Sequence, residues 1–416
     1  MRITIVGAGI AGLATAIGLH AAGFDDITVY EAEPRLRSHG LGLNILPNAV
    51  RELAELGLLD DLLGKGLPTR ELAMYNPHGN LVWREDRGLA AGYRWPQISI
   101  SRSRLVMALA AEVTRRLGAR AVVTDARLVG LRHEPGATRG TFTDGQGSIR
   151  DIGTDVLIGA DGIHSAVRAA LHPAEGPPPT NGMTLYRGTG WGRAFLTGRS
   201  MVVLGDARRR LVLYPIDRDG RTGEVLINWV AAFPEGDAGR PPGDLRGAVL
   251  REFGTWSPPE VDLTRLVEGT RHVQRHPMID RDPVDRWTFG HVTLVGDAAH
   301  AMYPAGSNGA TQAVVDARVL ARHLATRTGT ADALRAYEDE RRPEMTELHR
   351  HNRAMGPEKV ITLAHERAPH GFAHIGDVFS AEELAEISRG YAVAGRFDQG
   401  WVNSRPTLSV GERSPR

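Results

Sequence analysis

The run Ile3-Thr4-Ile5-Val6, followed at once by Gly7-Ala8-Gly9-Ile10-Ala11-Gly12, constrains this chain more than any other feature. Four apolar residues in a row read as a short strand buried on both faces. Ala11–Ala22 reads as a helix ended by Gly23, and Ile27–Tyr30 as a second strand ending at Glu31. Strand, glycine turn, helix and strand form a βαβ unit of about 30 residues. In such a unit Gly7 permits the tight turn, Gly9 lets the backbone approach a pyrophosphate, and Gly12 lets the helix pack close to the strand. Glu31 is placed to accept from ribose hydroxyls. The pattern predicts a dinucleotide site without separating NAD from FAD.

Further along, Asn48–Leu63 reads as one helix, with Val50, Leu53 and Leu56 on one face, and Ser101–Leu117 as an amphipathic helix stopped at Gly118. Glu71–Ile100 between them is strand-like. From about Gly182 to Trp287 short alternating strands dominate, interrupted by a helical piece around Asp244–Phe253, which predicts an antiparallel sheet with one face covered. Val292–Val295 returns to the buried-strand pattern. Ala310–Thr326 and Ala331–Met355 read as helices, the second kinked at Pro343. The final stretch, SRPTLSVGERSPR, reads as a frayed tail.

Composition narrows the function classes. There is no cysteine, so disulfides, thiolate metal sites and a redox dithiol are excluded. No metal site is expected. A net charge of +1 gives no nucleic-acid surface. Only two of the 50 basic residues are lysine, and the scattered arginines read mainly as solvated surface. No signal sequence and no apolar run of about 18 residues is seen, so a soluble, cytoplasmic protein with no membrane partner is expected.

Two further motifs combine glycine and aspartate. One is Gly159-Ala160-Asp161-Gly162-Ile163-His164-Ser165-Ala166-Val167-Arg168, in which Ser165 and Arg168 read equally well as ordinary first-turn residues. The other runs from Gly296-Asp297 to Gly309 and leads into a helix. Three such turns, each ending a parallel strand, can line one crevice. An elongated ligand with AMP, pyrophosphate, ribityl chain and flat ring needs that many contacts, whereas NAD is shorter. Bare backbone ahead of a helix N-terminus, near Asn308–Thr311, suits a flat polar group that becomes anionic.

Taken together, GAGIAG, GADGIHSAVR and GDAAHAMYPAGSNGA resemble the single-component FAD-dependent aromatic hydroxylases of the para-hydroxybenzoate hydroxylase class, over roughly residues 1–355. Within that class the chain looks most like the phenazine-type and salicylate hydroxylase-like monooxygenases. The resemblance implies an α/β fold. Its Rossmann-like FAD-binding domain, of glutathione-reductase type, would comprise residues 1–70, 101–178 and 289–355. Substrate-side strands would lie at 71–100, an inserted antiparallel-sheet substrate domain at 179–288, and a C-terminal helical segment and tail at 356–416.

It also implies residue roles. Gly7, Gly9, Ile10, Ala11 and Gly12 flank the FAD pyrophosphate, and Glu31 takes the adenosine ribose. Arg37, Gly42, Leu43 and Arg102 contact the phosphate and ribityl side. Asp161 and Gly162 serve FAD and the reduced nicotinamide cofactor. Gly296 and Asp297 hold the ribityl chain, and Pro304, Gly306, Asn308 and Gly309 pass beside the flavin ring. His300 is read as orienting backbone, Met302 and Tyr303 as packing, and Arg341-Arg342 as a solvated or scaffold face.

Expected substrate-side residues are Leu46, Tyr186, Arg187, Tyr214, Asn228, Trp229, His276, Met278 and Pro304, with Pro304, His276 and Tyr214 as the catalytic candidates. The implied chemistry is FAD reduction by NADH or NADPH, oxygen addition at flavin C4a, and hydroxylation of a small aromatic acid, with or without decarboxylation, in a monomer or homodimer. The competing readings are a reductase or oxidase on the same scaffold that inserts no oxygen, and a non-enzymatic flavoprotein. The segment FAHIGDVFSAEELAEIS is read as helical, covering either the pocket or a second subunit.

Overall fold

The structure is a computed structural model, and it describes residues 1–36, 41–134, 136–234, 243–256, 258 and 260–410. A five-stranded parallel sheet stands at its centre, in the order Val292–Leu294, Val156–Gly159, Ile3–Val6, Ile27–Tyr30 and Val122–Val123. Ile3–Val6 is buried along its whole length, as a central strand covered on both faces must be. The helix Ile10–Ala21 packs against the helices Asn308–Thr326 and Arg102–Leu117. A Cβ at Gly18 would lie 3.3 Å from the carbonyl of Ala317, so glycine permits that close helix contact.

The second layer is a seven-stranded sheet in the order Gln274–Ile279, Thr180–Gly192, Val225–Pro234, Arg210–Arg218, Ser200–Gly205, Glu71–Tyr75 and Leu81–Asp86. Its neighbours are antiparallel except for Ser200–Gly205 beside Glu71–Tyr75. Alternation divides the side chains between two faces. Tyr186, Leu213, Trp229 and Phe233 point to the face covered by helices Leu245–Phe253 and Leu263–Glu268. Leu72, Met74 and Val203 point the other way, toward Val360, Ile361 and Ala364 of the helix Lys359–Arg367. Two three-stranded sheets complete the fold: Gly42–Ile45, Gln97–Ser101 and Gly66–Thr69, and a meander of Arg127–Glu134, Ala137–Thr143 and Ile149–Thr154.

The expected helix at 48–63 is two helices, Pro47–Glu55 and Leu59–Leu63, because Gly57 takes φ +78° between them. Thr330–Arg353 runs as one helix through Pro343. No helix among the described residues is long and apolar enough to cross a membrane.

The tail departs from expectation. Arg405 donates to Glu52, Thr407 Oγ1 donates to Glu55 at 2.7 Å, and Arg318 Nη2 donates to Ser409 Oγ at 2.8 Å. Residues 405–409 are therefore docked, and only 411–416 lie outside the described residues. The physical reason is Glu52, which is fully buried between Arg405 and Arg318, the latter at 3.2 Å. Burial raises the pKa of Glu52, and the two arginines offset part of that rise. Truncation of a buried pair leaves the other charge uncompensated. Glu52→Ala is therefore expected to destabilise the fold by about 3–5 kcal/mol, read as a lower urea midpoint.

Candidate active site

The three glycine-containing turns meet at the carboxyl ends of adjacent parallel strands. Ala160 N donates to Val6 O at 2.8 Å, and Val295 N donates to Gly159 O at 2.9 Å. A Cβ at Gly7, where φ is +104°, would lie 2.4 Å from Ala160 O, so the first turn presses against the second. A Cβ at Gly12 would fall 1.9 Å from Gly7 O. At Gly296, with φ +58°, it would meet Ala11 Cβ at 2.8 Å, so the third turn presses against the first. Arg168 closes the triangle. Buried to 1% exposure, it donates to Ala298 O at 3.2 Å and Ala299 O at 2.8 Å, while Glu175 pairs with it at 2.7 Å. Arg168 is therefore a framework residue joining the second and third motifs, a role its place in the first turn does not announce.

Two helix N-termini open toward ligand at these turns. Ile10–Ala21 begins after Gly9 with no side-chain cap and no acid in its first turn. Nothing lies within 4 Å of where a Gly9 Cβ would be. Asn308–Thr326 likewise starts without a side-chain cap or an acid, after Ser307 at φ +61°. Free N–H groups and the positive end of the helix dipole make such termini receptive to anions. Glu31 ends its strand, accepting from Ala8 N at 2.8 Å and Glu33 N at 2.9 Å. Asp297 is exposed, and its Oδ1 is 3.7 Å from the position of a Gly309 Cβ. Pro304 and Gly309 are exposed in the same loop, and Gly306 is half-buried with φ +67°. An open glycine cradle, two uncapped termini and an acid at each end of the crevice fit FAD.

Other residues expected to hold cofactor fall differently. Asp161 caps a helix: it accepts from Ser165 Oγ at 2.5 Å and Ala166 N at 2.7 Å. Burial raises its pKa, and those donors oppose the rise. Gly162 makes the turn with φ +79°. Gly42 and Leu43 lie in the strand Gly42–Ile45, and Arg102 opens the helix Arg102–Leu117 beside it, its N–H donating to Leu41 O at 2.9 Å. Arg37 lies outside the described residues.

Behind the third turn sits a network that sequence reasoning missed. Asp316, fully buried, accepts from Gly296 N at 3.0 Å, His300 Nε2 at 2.6 Å and Arg341 Nε at 2.8 Å. Burial alone would raise its pKa, but His300 and Arg341 outweigh burial and hold it down at about 2. His300 thus orients the turn, as expected. Arg341 is buried scaffold rather than solvated surface, for it also donates to Gln312 Oε1 at 2.8 Å. Asn352 Nδ2 donates to Tyr303 O at 3.1 Å and Ala305 O at 3.0 Å, fixing the loop from the other side.

The expected substrate set is divided by the sheet. Tyr186 is a correction: it is fully buried on the helix-covered face, stacked on Phe233 at 4.9 Å, and belongs to the core. Trp229 is on the same face, donating to Thr270 Oγ1 at 2.9 Å. Asn228 is fully buried and accepts from Gly42 N at 2.6 Å, which ties the large sheet to the flavin-side strand instead of exposing the amide. Arg187 and Tyr214 occupy the other face. Burial lowers the pKa of Arg187 and raises that of Tyr214. His276 is exposed on the edge strand, its Nε2 3.3 Å from Gln274 Oε1, and burial together with Arg187 lowers its pKa. Met278 is buried with Leu185 and Ala232.

A cavity of about 210 Å³ opens on that second face. Leu72, Met74, Met201 and Val203 of the sheet form one wall, and Leu46, Gly306 and Ser307 form the flavin side. Arg87, Tyr93 and Gln97 supply polar groups, and Phe397 and Gln399 of the C-terminal segment close it. Of the expected substrate residues only Leu46 lines this cavity. Arg87, Gln97 and Phe397 carry no local motif, so only their assembly reveals them. Ala392, Phe397 and Gln399 close the pocket, whereas none of residues 372–388, the stretch expected to cover either the pocket or a second subunit, lines it.

Over residues 1–218 and 254–352 the chain matches the FAD binding domain family. The chain belongs to that family. It is 41% identical over 362 residues to the phenazine 1,6-dicarboxylic acid hydroxylase of Lysobacter antibioticus, covering 84% of this chain and 89% of that protein. It is 35% identical over 366 residues to the 3-amino-4-hydroxybenzoate 2-monooxygenase of Streptomyces cremeus, covering 86% and 87%. The fold matches that of Klebsiella pneumoniae HpxO complexed with FAD and uric acid, with a TM-score of 0.72 at 24% identity over 97% of each chain. The protein is an FAD-dependent monooxygenase with NAD(P)H and O2 as co-substrates, as the three motifs led us to expect.

Asp297→Ala is expected to give folded protein with little FAD, read from the ratio of 450 nm to 280 nm absorbance and from circular dichroism. For Asp316 the folded-state pKa is below the usual 3.8, so its ionised form contributes fully above about pH 4 and the contribution is lost as pH falls toward 2. The shift corresponds to ~2 kcal/mol. Asp316→Asn should abolish that part of the acid dependence in urea unfolding curves between pH 4.5 and 2.5.

Proposed function

We propose that this enzyme hydroxylates a small carboxylated aromatic ring, of the aminohydroxybenzoate or phenazine-carboxylate kind. The observation that carries the reading is the position of the cavity, between the Gly306–Ser307 loop and an apolar sheet face. Its volume of about 210 Å³ lies below the roughly 300–1,000 Å³ usual for ligand pockets, which suits a small flat ring system. The relatives' names point to the same class.

Bound FAD, once reduced, supplies the activation of O2 for transfer to the ring. The chain's own residues do the rest. The N-terminus at Gly9 and the side chain of Glu31 would hold the pyrophosphate and adenosine ribose, and Asp297 the ribityl hydroxyls. The uncapped N-terminus at Asn308 favours negative charge on the flavin ring by about 0.3–1 kcal/mol if exposed and up to about 2 if partly buried. In this reading residues 1–70, 101–178 and 289–355 carry FAD, and 71–100 with 179–288 carry substrate.

Leu46, Met74, Met201 and Val203 exclude water and keep the ring flat against the flavin side. Arg87 pairs with Glu85 through Nη2, while its Nε, buried and without an acceptor among the described residues, is our candidate for the substrate carboxylate. Arg187 pairs with no carboxylate among the described residues and stands close enough to Arg102 for the two charges to repel. Burial keeps Tyr214 protonated, and His276 is neutral near pH 7, but neither lines this cavity, so neither is given a proton-transfer role at the ring.

The test is NAD(P)H oxidation in air by the yellow holoenzyme against a panel of aminohydroxybenzoates and phenazine carboxylates, with products analysed under 18O2. Stimulated oxidation with one labelled oxygen in the product is expected. Oxidation without label would overturn ring hydroxylation and leave the reductase or oxidase chemistry.

A further inference from the structure

Glu358 is 8% exposed and lines the cavity. Its one charged partner is Arg210, whose Nε stands 3.7 Å from Oε2, beyond hydrogen-bond reach. The other donors of Arg210 point elsewhere: Nη2 donates to Thr362 Oγ1 at 2.5 Å and Nη1 to Arg209 O at 2.9 Å. Among the described residues, nothing hydrogen-bonds to the Glu358 carboxylate. A second acceptor in the same wall, Gln97 Oε1, is buried on a residue 2% exposed and has no donor either.

A buried amide oxygen without a donor is costly, and a buried carboxylate held only by an ion pair at 3.7 Å is incompletely satisfied. Both face one cavity, so a molecule bound there can supply what the chain does not. The pocket asks for a flat ligand whose edge carries hydrogen-bond donors toward Glu358 and Gln97, with an acceptor toward Arg87.

We propose that Glu358 is a positioning residue that accepts a hydrogen bond from a hydroxyl, amino or ring N–H group of the aromatic substrate. This inference rests on the proposed aromatic-acid hydroxylation. It restricts the substrate to acids bearing such a donor. A site built around a substrate O–H or N–H rejects the analogue lacking it strongly, since the site's polar groups are then left unpaired.

The test compares matched ligands by titrating the visible spectrum of the FAD-loaded enzyme. One pair is 3-amino-4-hydroxybenzoate against benzoate. The other is a hydroxyphenazine carboxylate against the phenazine carboxylate without the hydroxyl. The wild-type enzyme should bind the donor-bearing member of at least one pair tenfold or more tightly. Glu358→Met combined with Arg210→Met removes acceptor and counter-charge together, leaving no unpaired arginine. That double variant should keep FAD and bind the members of the pair within twofold of each other. Glu358→Gln, which keeps a carbonyl acceptor, should retain part of the preference and raise KM for the donor-bearing acid more than it lowers kcat.

Equal wild-type affinity within both pairs overturns the role of Glu358 while leaving aromatic-acid hydroxylation standing. So does a tenfold preference that survives in the double variant. Should the double variant not fold, Glu358→Gln decides, and a preference there equal to the wild-type one overturns the role of Glu358. If no aromatic acid perturbs the flavin or stimulates NAD(P)H oxidation, the functional proposal fails and this inference with it.

Discussion

The Asp316 carboxylate, fully buried and ionised, is held by three donors from two separate stretches of the chain. One is the N–H of Gly296, whose positive φ shapes the turn presenting Asp297 to the crevice. Another is His300, the last residue of the short helix that follows that turn. The third is Arg341, from the middle of the long helix packed behind. A buried charge of this kind is tolerated only when it is paired and fully hydrogen-bonded. Its requirement for partners fixes the third turn against the helix Asn308–Thr326, and with it that helix's N-terminus, which has no side-chain cap.

Arginine does this framework work repeatedly. Arg168 joins the second turn to the third, Arg318 and Arg405 close around Glu52, and Arg341 serves Asp316. Each of the four is nearly or fully buried at its guanidinium. Lysine, a compact point charge, could not reach two carbonyls and a carboxylate at once as Arg168 does, because that needs a planar fork of five donors. The composition suggested solvated arginines, yet several of them brace the site.

The cavity shows a different logic. Its walls come from the second sheet, the loop after Pro304 and the C-terminal segment, which are far apart in sequence. The segment is clamped by Tyr93 Oη donating to Phe397 O at 2.6 Å and Gln399 Nε2 donating to Gly92 O at 2.9 Å. Closure therefore links the substrate side to a stretch lying beyond the cofactor motifs.

The residues alone determined the βαβ unit, the three strand-end turns and the acids Glu31 and Asp297. These features are local: glycine at fixed offsets, apolar runs of strand length and an acid at a strand end keep their meaning without knowledge of neighbours. Alternation also announced the antiparallel sheet. It could not say which face of that sheet met the cofactor, and a period of two is the same read from either side. Tyr186 and Trp229 accordingly went to the covered face, and Asn228 to a backbone contact with Gly42. The docking of the tail, the burial of Arg341, and the meeting of Arg87, Gln97 and Glu358 at one cavity were decided by tertiary structure alone. They depend on which distant groups a buried charge or an open acceptor finds beside it, and sequence spacing does not encode that distance.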